Sequence, residues 1–206
     1  MRRLCGATAP TRSAGCRVTI QKQFKVKVCL VGEKAVGKTS LIRRYVLNMF
    51  DDRYITTIGT KVSKKELSLF HPERNMQVRM DVTIWDIMGE KGFRELLKDA
   101  YFYGANGILA VADVTRRKTL DELDDWIDGV MRVCGRVPTV IAVNKADLVN
   151  QAQFDEKQVD QFAKAFDSRY VYTSAKSGQN VEEAFRLLGD AVLGDILKAK
   201  AGAVPP

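Results

Sequence analysis

The sequence predicts a three-layer α/β domain, with a mostly parallel six-stranded sheet, one antiparallel hairpin strand and helices on both faces. Three observations carry that expectation. From Phe24 onward, short β-rich runs alternate with amphipathic helical ones. Runs such as "GILAVAD" and "TVIAVN" are apolar at nearly every position, the pattern of central strands covered on both faces. Only one pair of runs is joined by a short turn; helices separate the rest, which must therefore cross over and run parallel. A chain of 206 residues, 46% hydrophobic and 28% charged, is long enough to bury one core, and one domain is expected.

Taken in order, strand 24–31, "FKVKVCLV", alternates and then turns fully apolar. A helix follows over 38–48. Strands 61–70 and 76–85 flank the turn-rich "HPERN" and read as the hairpin. Then come helix 92–101, strand 107–113, helix 119–133, strand 138–144, helix 155–166, strand 169–173 and helix 180–199. No internal repeat or low-complexity segment interrupts them. Right-handed crossovers in such a sheet place ligand sites at the carboxyl ends of the strands. The longest apolar runs are about five to seven residues, far short of the roughly 18 that a bilayer-spanning helix needs.

The net charge of +8 is uneven. Arg2, Arg3, Arg12, Arg17 and Lys22 supply five of the eight charges, and residues 1–22 hold no acid. We read 1–22 as a basic, flexible extension, 23–200 as the folded domain and 201–206 as a short tail. The extension is also rich in Arg, Ser and Thr without a continuous apolar core, the composition of an organelle-targeting peptide as much as of plain disorder. No basic patch interleaved with aromatic residues marks the body, so nucleic acid is not an expected partner. Cys5, Cys16, Cys29 and Cys134 form no C-x-x-C pair, as expected of reduced thiols in the cytoplasm.

The first strand ends in "GEKAVGKTS", residues 32–40, which fits G-x-x-x-x-G-K-[ST] with a strand before and a helix after. Gly32, Glu33, Lys34, Ala35, Val36, Gly37, Lys38, Thr39 and Ser40 are thus expected to wrap phosphate. Backbone N–H groups and the helix N-terminus make a positive concavity, Lys38 reaches the outer phosphates, and the Thr39 hydroxyl can ligate magnesium. This motif leaves ATP, GTP and kinase chemistry open. "NKAD", residues 144–147, follows an apolar strand and favours guanine, because Asp147 can accept the ring N–H and the exocyclic amino hydrogens. Adenine would leave that acid unpaired, a strongly discriminating mismatch. Lys145 would lay its stem along the nucleotide and Asn144 would tie the loop to the phosphate loop. "TSAK", residues 173–176, adds Ser174, Ala175 and Lys176, with the Ala175 N–H available to the guanine oxygen.

With "YITTIG", "WDIMGE" and "YFYGANGILAVADVT" between these motifs, about 175 residues resemble the Ras superfamily of small GTPases, the Rab-like branch most closely. The resemblance implies a P-loop GTPase fold and a monomeric GTP/GDP switch that hydrolyses GTP. It further implies that Thr57 and Asp86 join Thr39 on Mg2+, that Tyr54 closes over the phosphates, that the Gly89 N–H meets the γ-phosphate, and that Phe50 packs on guanine. Catalysis would involve Glu90, Lys38, Thr57 and Gly89. Effector, exchange-factor and activating proteins would read the switch face, an activator supplying an arginine in trans.

Several residues depart from that family. Glu90 stands where most members carry the glutamine that orients attacking water, Met88 replaces a small alanine, and Lys34 replaces a glycine or small polar residue. Slow hydrolysis is expected, with a non-cycling nucleotide-binding scaffold as the rival. A second hypothesis pairs Lys34 with Glu90 to offset the acid's charge. The terminal "KAKAGAVPP" carries no cysteine for prenylation, so at most weak peripheral membrane contact through the basic extension is expected.

Overall fold

A computed structural model describes residues 20–51, 53, 57, 59–89 and 100–202. Along these residues run β1 (Ile20–Val31), α1 (Lys38–Leu47), β2 (Thr60–His71), β3 (Met76–Ile87), β4 (Gly107–Asp113), α2 (Leu123–Cys134), β5 (Thr139–Asn144), α3 (Glu156–Ala165), β6 (Arg169–Tyr172) and α4 (Val181–Gly202). The sheet order is β2-β3-β1-β4-β5-β6. Only β2 runs antiparallel, paired with β3 through the 3-10 turn Pro72–Arg74. The expected architecture is therefore present, hairpin included.

Local patterning accounts for most boundaries. Every residue of β4 and β5 is buried, as their unbroken apolar runs require. β3 instead alternates, with Met76, Val78, Met80, Val82 and Ile84 facing inward. One core lies under α1 and α4, where Val26, Val28 and Leu30 meet Leu41, Phe185 and Leu188. The other lies under α2 and α3, where Cys29, Ile108 and Ala110 meet Trp126, Ile127 and Val159. Each large apolar side chain fully buried there contributes about 1.5–3 kcal/mol. Cys29 is part of this packing; burial pushes its thiol up to about 12, so it behaves as a small hydrophobe.

Three differences from the sequence expectation go beyond a residue or two. β1 starts at Ile20, because its ladder with β3 continues from Ile20↔Met76 to Leu30↔Asp86 although residues 21–23 are exposed. Backbone pairing, not burial, extends it. The helix expected over 119–133 is broken into one turn, Lys118–Asp121, and α2. Glu122 between them has φ −97 and ψ 5. The apolar spacing Leu120, Leu123, Trp126, Ile127, Val130 runs through the break, so periodicity cannot reveal it. Finally, α4 continues to Gly202, where Lys200 Nζ sits 4.8 Å over the Phe24 ring. Residues 90–99 lie outside the described set, and with them most of the helix expected over 92–101. Among the described residues no helix is long and apolar enough to cross a membrane.

Candidate functional site

The carboxyl ends of β1, β3, β5 and β6 open into one cavity of about 480 Å3. Its wall takes residues from the five motifs "GEKAVGKTS", "YITTIG", "WDIMGE", "NKAD" and "TSAK": Lys34, Ala35, Gly37, Lys38, Thr39 and Ser40; Thr57; Gly89; Asn144, Lys145 and Asp147; Ala175 and Lys176; with Phe50 closing one side. These segments are distant in sequence. Parallel strands all delivering their ends to one edge bring them together.

The loop between β1 and α1 is shaped by its glycines and by contacts beneath it. Gly37 has φ 98, and a Cβ there would fall 2.2 Å from Asn144 Nδ2, so both conformation and space demand glycine. Asn144, 1% exposed, donates from Nδ2 to the Val36 carbonyl at 2.8 Å. Its Oδ1 accepts from Thr173 Oγ1 and the Ala175 N–H, each at 3.3 Å. One buried amide thereby joins three loops. Lys38 Nζ donates to the carbonyls of Gly32 at 2.7 Å and Glu33 at 2.9 Å. Burial pulls the Lys38 amine down to about 8, against the favourable charges of Asp86 and Glu33, and Arg116 adds to the lowering.

Thr39, Thr57 and Asp86 converge as expected of a shared ion site. Thr39 Oγ1 lies 2.9 Å from Thr57 Oγ1 and donates to Asp86 Oδ2 at 2.5 Å. Burial raises the Asp86 carboxyl, with the Thr39 hydrogen bond and the Lys38 charge opposing. Among the described residues, Asp86 Oδ1 is buried without a hydrogen-bond partner. Two hydroxyls and a carboxylate with one orphaned oxygen form a hard-oxygen donor set of the kind Mg2+ takes, which water and phosphate would complete.

At the opposite end, Ser174 Oγ donates to Asp147 Oδ1 at 2.5 Å, which fixes the carboxylate while using only one of its lone pairs. Arg44 binds this loop from below, donating to the carbonyls of Ala175 at 2.8 Å and Lys176 at 2.6 Å. Lys145, at φ 64, reaches Asp113 Oδ2 at 2.6 Å.

Several expected site residues serve as supports and do not line the cavity. Gly32 supplies a carbonyl to Lys38, Val36 is fully buried, Ser174 positions Asp147, and Asp86 lies behind Thr39. Glu33 turns away, its Oε1 accepting from Trp126 Nε1 at 3.3 Å. Tyr54 and Glu90 lie outside the described residues. Sequence reading missed Arg43, Asp51, Ile87 and Leu148 in the cavity wall and gave Arg53 no place there. The Arg53 guanidinium is bound to the Asp51 carboxylate at 2.9 Å. Also missed were Asp113 and Arg116 at the end of β4; their only signal was polarity at the carboxyl end of an otherwise apolar strand.

Comparison with known proteins agrees with this geometry. The family model described as "Ras family" matches residues 27–194. The chain is 33% identical over 166 residues to Ras-related protein Rab-1D of Dictyostelium discoideum, covering 80% of this chain and 78% of that protein. It is 32% identical over 168 residues to Ras-related protein Rab-13 of Bos taurus, covering 81% and 79%. It is 31% identical over 186 residues to GTP-binding protein ypt4 of Schizosaccharomyces pombe, covering 89% and 76%. With the five motifs assembled around one cavity, these matches identify the chain as a member of the Ras family, a Rab-like small GTPase.

Proposed function

We propose that this chain binds GTP and GDP with Mg2+ in the cavity described above, switches its loops with the third phosphate, and hydrolyses GTP slowly. The observation that carries this reading is the convergence of Thr39, Thr57 and Asp86, whose Oδ1 is buried without a hydrogen-bond partner among the described residues, in the site that Lys38 and Gly89 also line. The ion, when bound, offsets charge on the outer phosphate oxygens. The chain's own groups do the rest. Backbone N–H groups of 33–39 and the Lys38 amine bind phosphate, Phe50 and Lys145 cover the base, and Asp147 selects guanine by accepting two of its hydrogens. Thr57 and Gly89 belong to the two segments that respond to the terminal phosphate. Glu90 is the residue that would orient the attacking water.

The residue set also supports a second reading, a scaffold that holds nucleotide with little turnover, because Met88 and Lys34 border the same cavity. Identifying the nucleotide bound to purified protein and following its conversion separates the two. Bound GTP that never becomes GDP, with or without candidate activators, overturns the cycling reading. Single-turnover hydrolysis by Lys34→Gly, Glu90→Gln and the double variant tests their pairing. Two unit charges about 4 Å apart at an effective dielectric near 20 interact by a few kcal/mol, so strictly additive barrier changes refute the coupling. We place the protein in the cytoplasm as a monomer, with effector, exchange-factor and activating partners at the switch face and only weak peripheral membrane contact.

A further inference from the structure

Asp113, at the carboxyl end of β4, belongs to none of the nucleotide-binding motifs, yet its carboxylate is fully buried and fully engaged. Oδ1 accepts from the Thr115 N–H at 3.0 Å and the Thr115 hydroxyl at 2.7 Å. Oδ2 accepts from Lys145 at 2.6 Å and Arg116 Nε at 2.9 Å. The same Arg116 guanidinium donates from Nη2 to the Lys34 carbonyl at 2.8 Å. Lys145 and Lys34 both line the nucleotide cavity, one at the base end and one at the phosphate end. A single planar fork therefore spans two acceptors that belong to the two ends of the site.

The peptide it holds is a demanding one. Ala35, immediately after the bound carbonyl, is in the left-handed conformation at φ 62, which a residue with a Cβ adopts at a cost and keeps only where surroundings enforce it. On the other side of Lys34, Gly89 packs so closely that a Cβ would lie 2.6 Å from both Glu33 C and Lys34 N. Trp126 Nε1 holds the Glu33 side chain at 3.3 Å. The surface on which the switch glycine closes is thus fixed from beneath by Arg116 and Trp126.

We propose that Arg116 is a positioning residue that couples the two ends of the site, fixing the Lys34 carbonyl next to the Glu33–Lys34 peptide on which Gly89 packs, while sharing Asp113 with Lys145. The inference rests on the guanine-nucleotide reading above. Lys145 depends on Asp113 for its placement, and Asp113 is charge-balanced by Lys145 and Arg116 together. Removing Arg116 loosens the phosphate end directly and the base end through Asp113. A lysine at 116 can still balance Asp113, but a single ammonium on a flexible stem cannot span both acceptors.

The test uses full-length protein loaded with fluorescent GDP or a fluorescent non-hydrolysable GTP analogue, chased with excess unlabelled nucleotide. Thermal unfolding monitors the fold of each variant. Arg116→Ala is expected to release both nucleotides about ten- to a hundredfold faster, the range for losing a hydrogen bond to a charged group. Arg116→Lys is expected to restore GDP release to near the wild-type rate while leaving fast release of the triphosphate analogue. The proposal is overturned if Arg116→Ala stays within twofold of wild type for both nucleotides. It is equally overturned if Arg116→Lys either restores both rates or restores neither. Wild-type protein that retains neither label would sink the nucleotide reading itself, an outcome distinct from any behaviour of the variants.

Discussion

Replacing Asn144 by alanine removes a buried side chain that joins the phosphate loop to both base-side loops. Its strongest bond, Nδ2 to the Val36 carbonyl at 2.8 Å, lies wholly inside the protein, since Asn144 is 1% exposed and Val36 0%. No water replaces it, so the Val36 carbonyl keeps its desolvation penalty of about 1–3 kcal/mol. The two 3.3 Å bonds from Thr173 and the Ala175 N–H are longer than ideal, and together they add roughly 1 kcal/mol. The expected loss is about 3 kcal/mol. For a domain of this size a kcal/mol moves the melting point by about 2–4 °C, which gives a drop of roughly 6–12 °C. Thermal unfolding must be followed at fixed nucleotide, Mg2+ and protein concentrations, because ligand binding shifts the midpoint by mass action. Asn144→Asp separates shape from chemistry. It keeps the acceptor for Thr173 and Ala175 but turns a carboxylate toward the Val36 carbonyl, so it should be no more stable than the alanine variant. An Asn144→Ala protein within about 0.5 kcal/mol of wild type, the spread of ordinary surface changes, would refute this reasoning. So would an Asn144→Asp protein as stable as wild type.

Two further outcomes follow from the same geometry. Burial tends to raise the Asp113 carboxyl, but the hydrogen bonds from Lys145 and Thr115 prevail and hold it below the ordinary carboxylate value. Its contribution is present in full above that ordinary value and is lost as pH falls through the lowered one. The urea-midpoint gap between wild type and Asp113→Asn should therefore narrow once pH drops below about 4; a constant gap down to acid unfolding contradicts it. Gly89→Ala would drive a Cβ into the Glu33–Lys34 peptide, so release of a triphosphate analogue should accelerate by about tenfold or more while GDP release changes little, and equal effects on both would contradict that contact.

Legibility in the sequence followed the range of the interaction. β4 was read at its observed limits, and the other described strands and helices, apart from the broken helix after β4, within a few residues, because alternation, 3.6-residue periodicity and turn residues are local signals. The motifs "GEKAVGKTS" and "NKAD" were equally local signals. The broken helix at Glu122 was not legible, since its apolar spacing is unbroken, and the length of β1 was not, since it comes from a partner strand more than 50 residues away.

What the sequence by itself determined is the set of chemical groups and the strand ends that carry them, because strand direction and motif spacing suffice to deliver those groups to one edge. Only the tertiary structure decided how they are held. The bonds from Arg116 to Lys34, Trp126 to Glu33 and Asn144 to Val36 span 82, 93 and 108 residues. Each depends on the register of β1 against β4 and of β4 against β5, which no local period encodes. The division of the phosphate loop into residues that face the cavity and residues that brace it from behind has the same origin. It is set by what packs beneath the loop, and that packing exists only once the sheet is assembled.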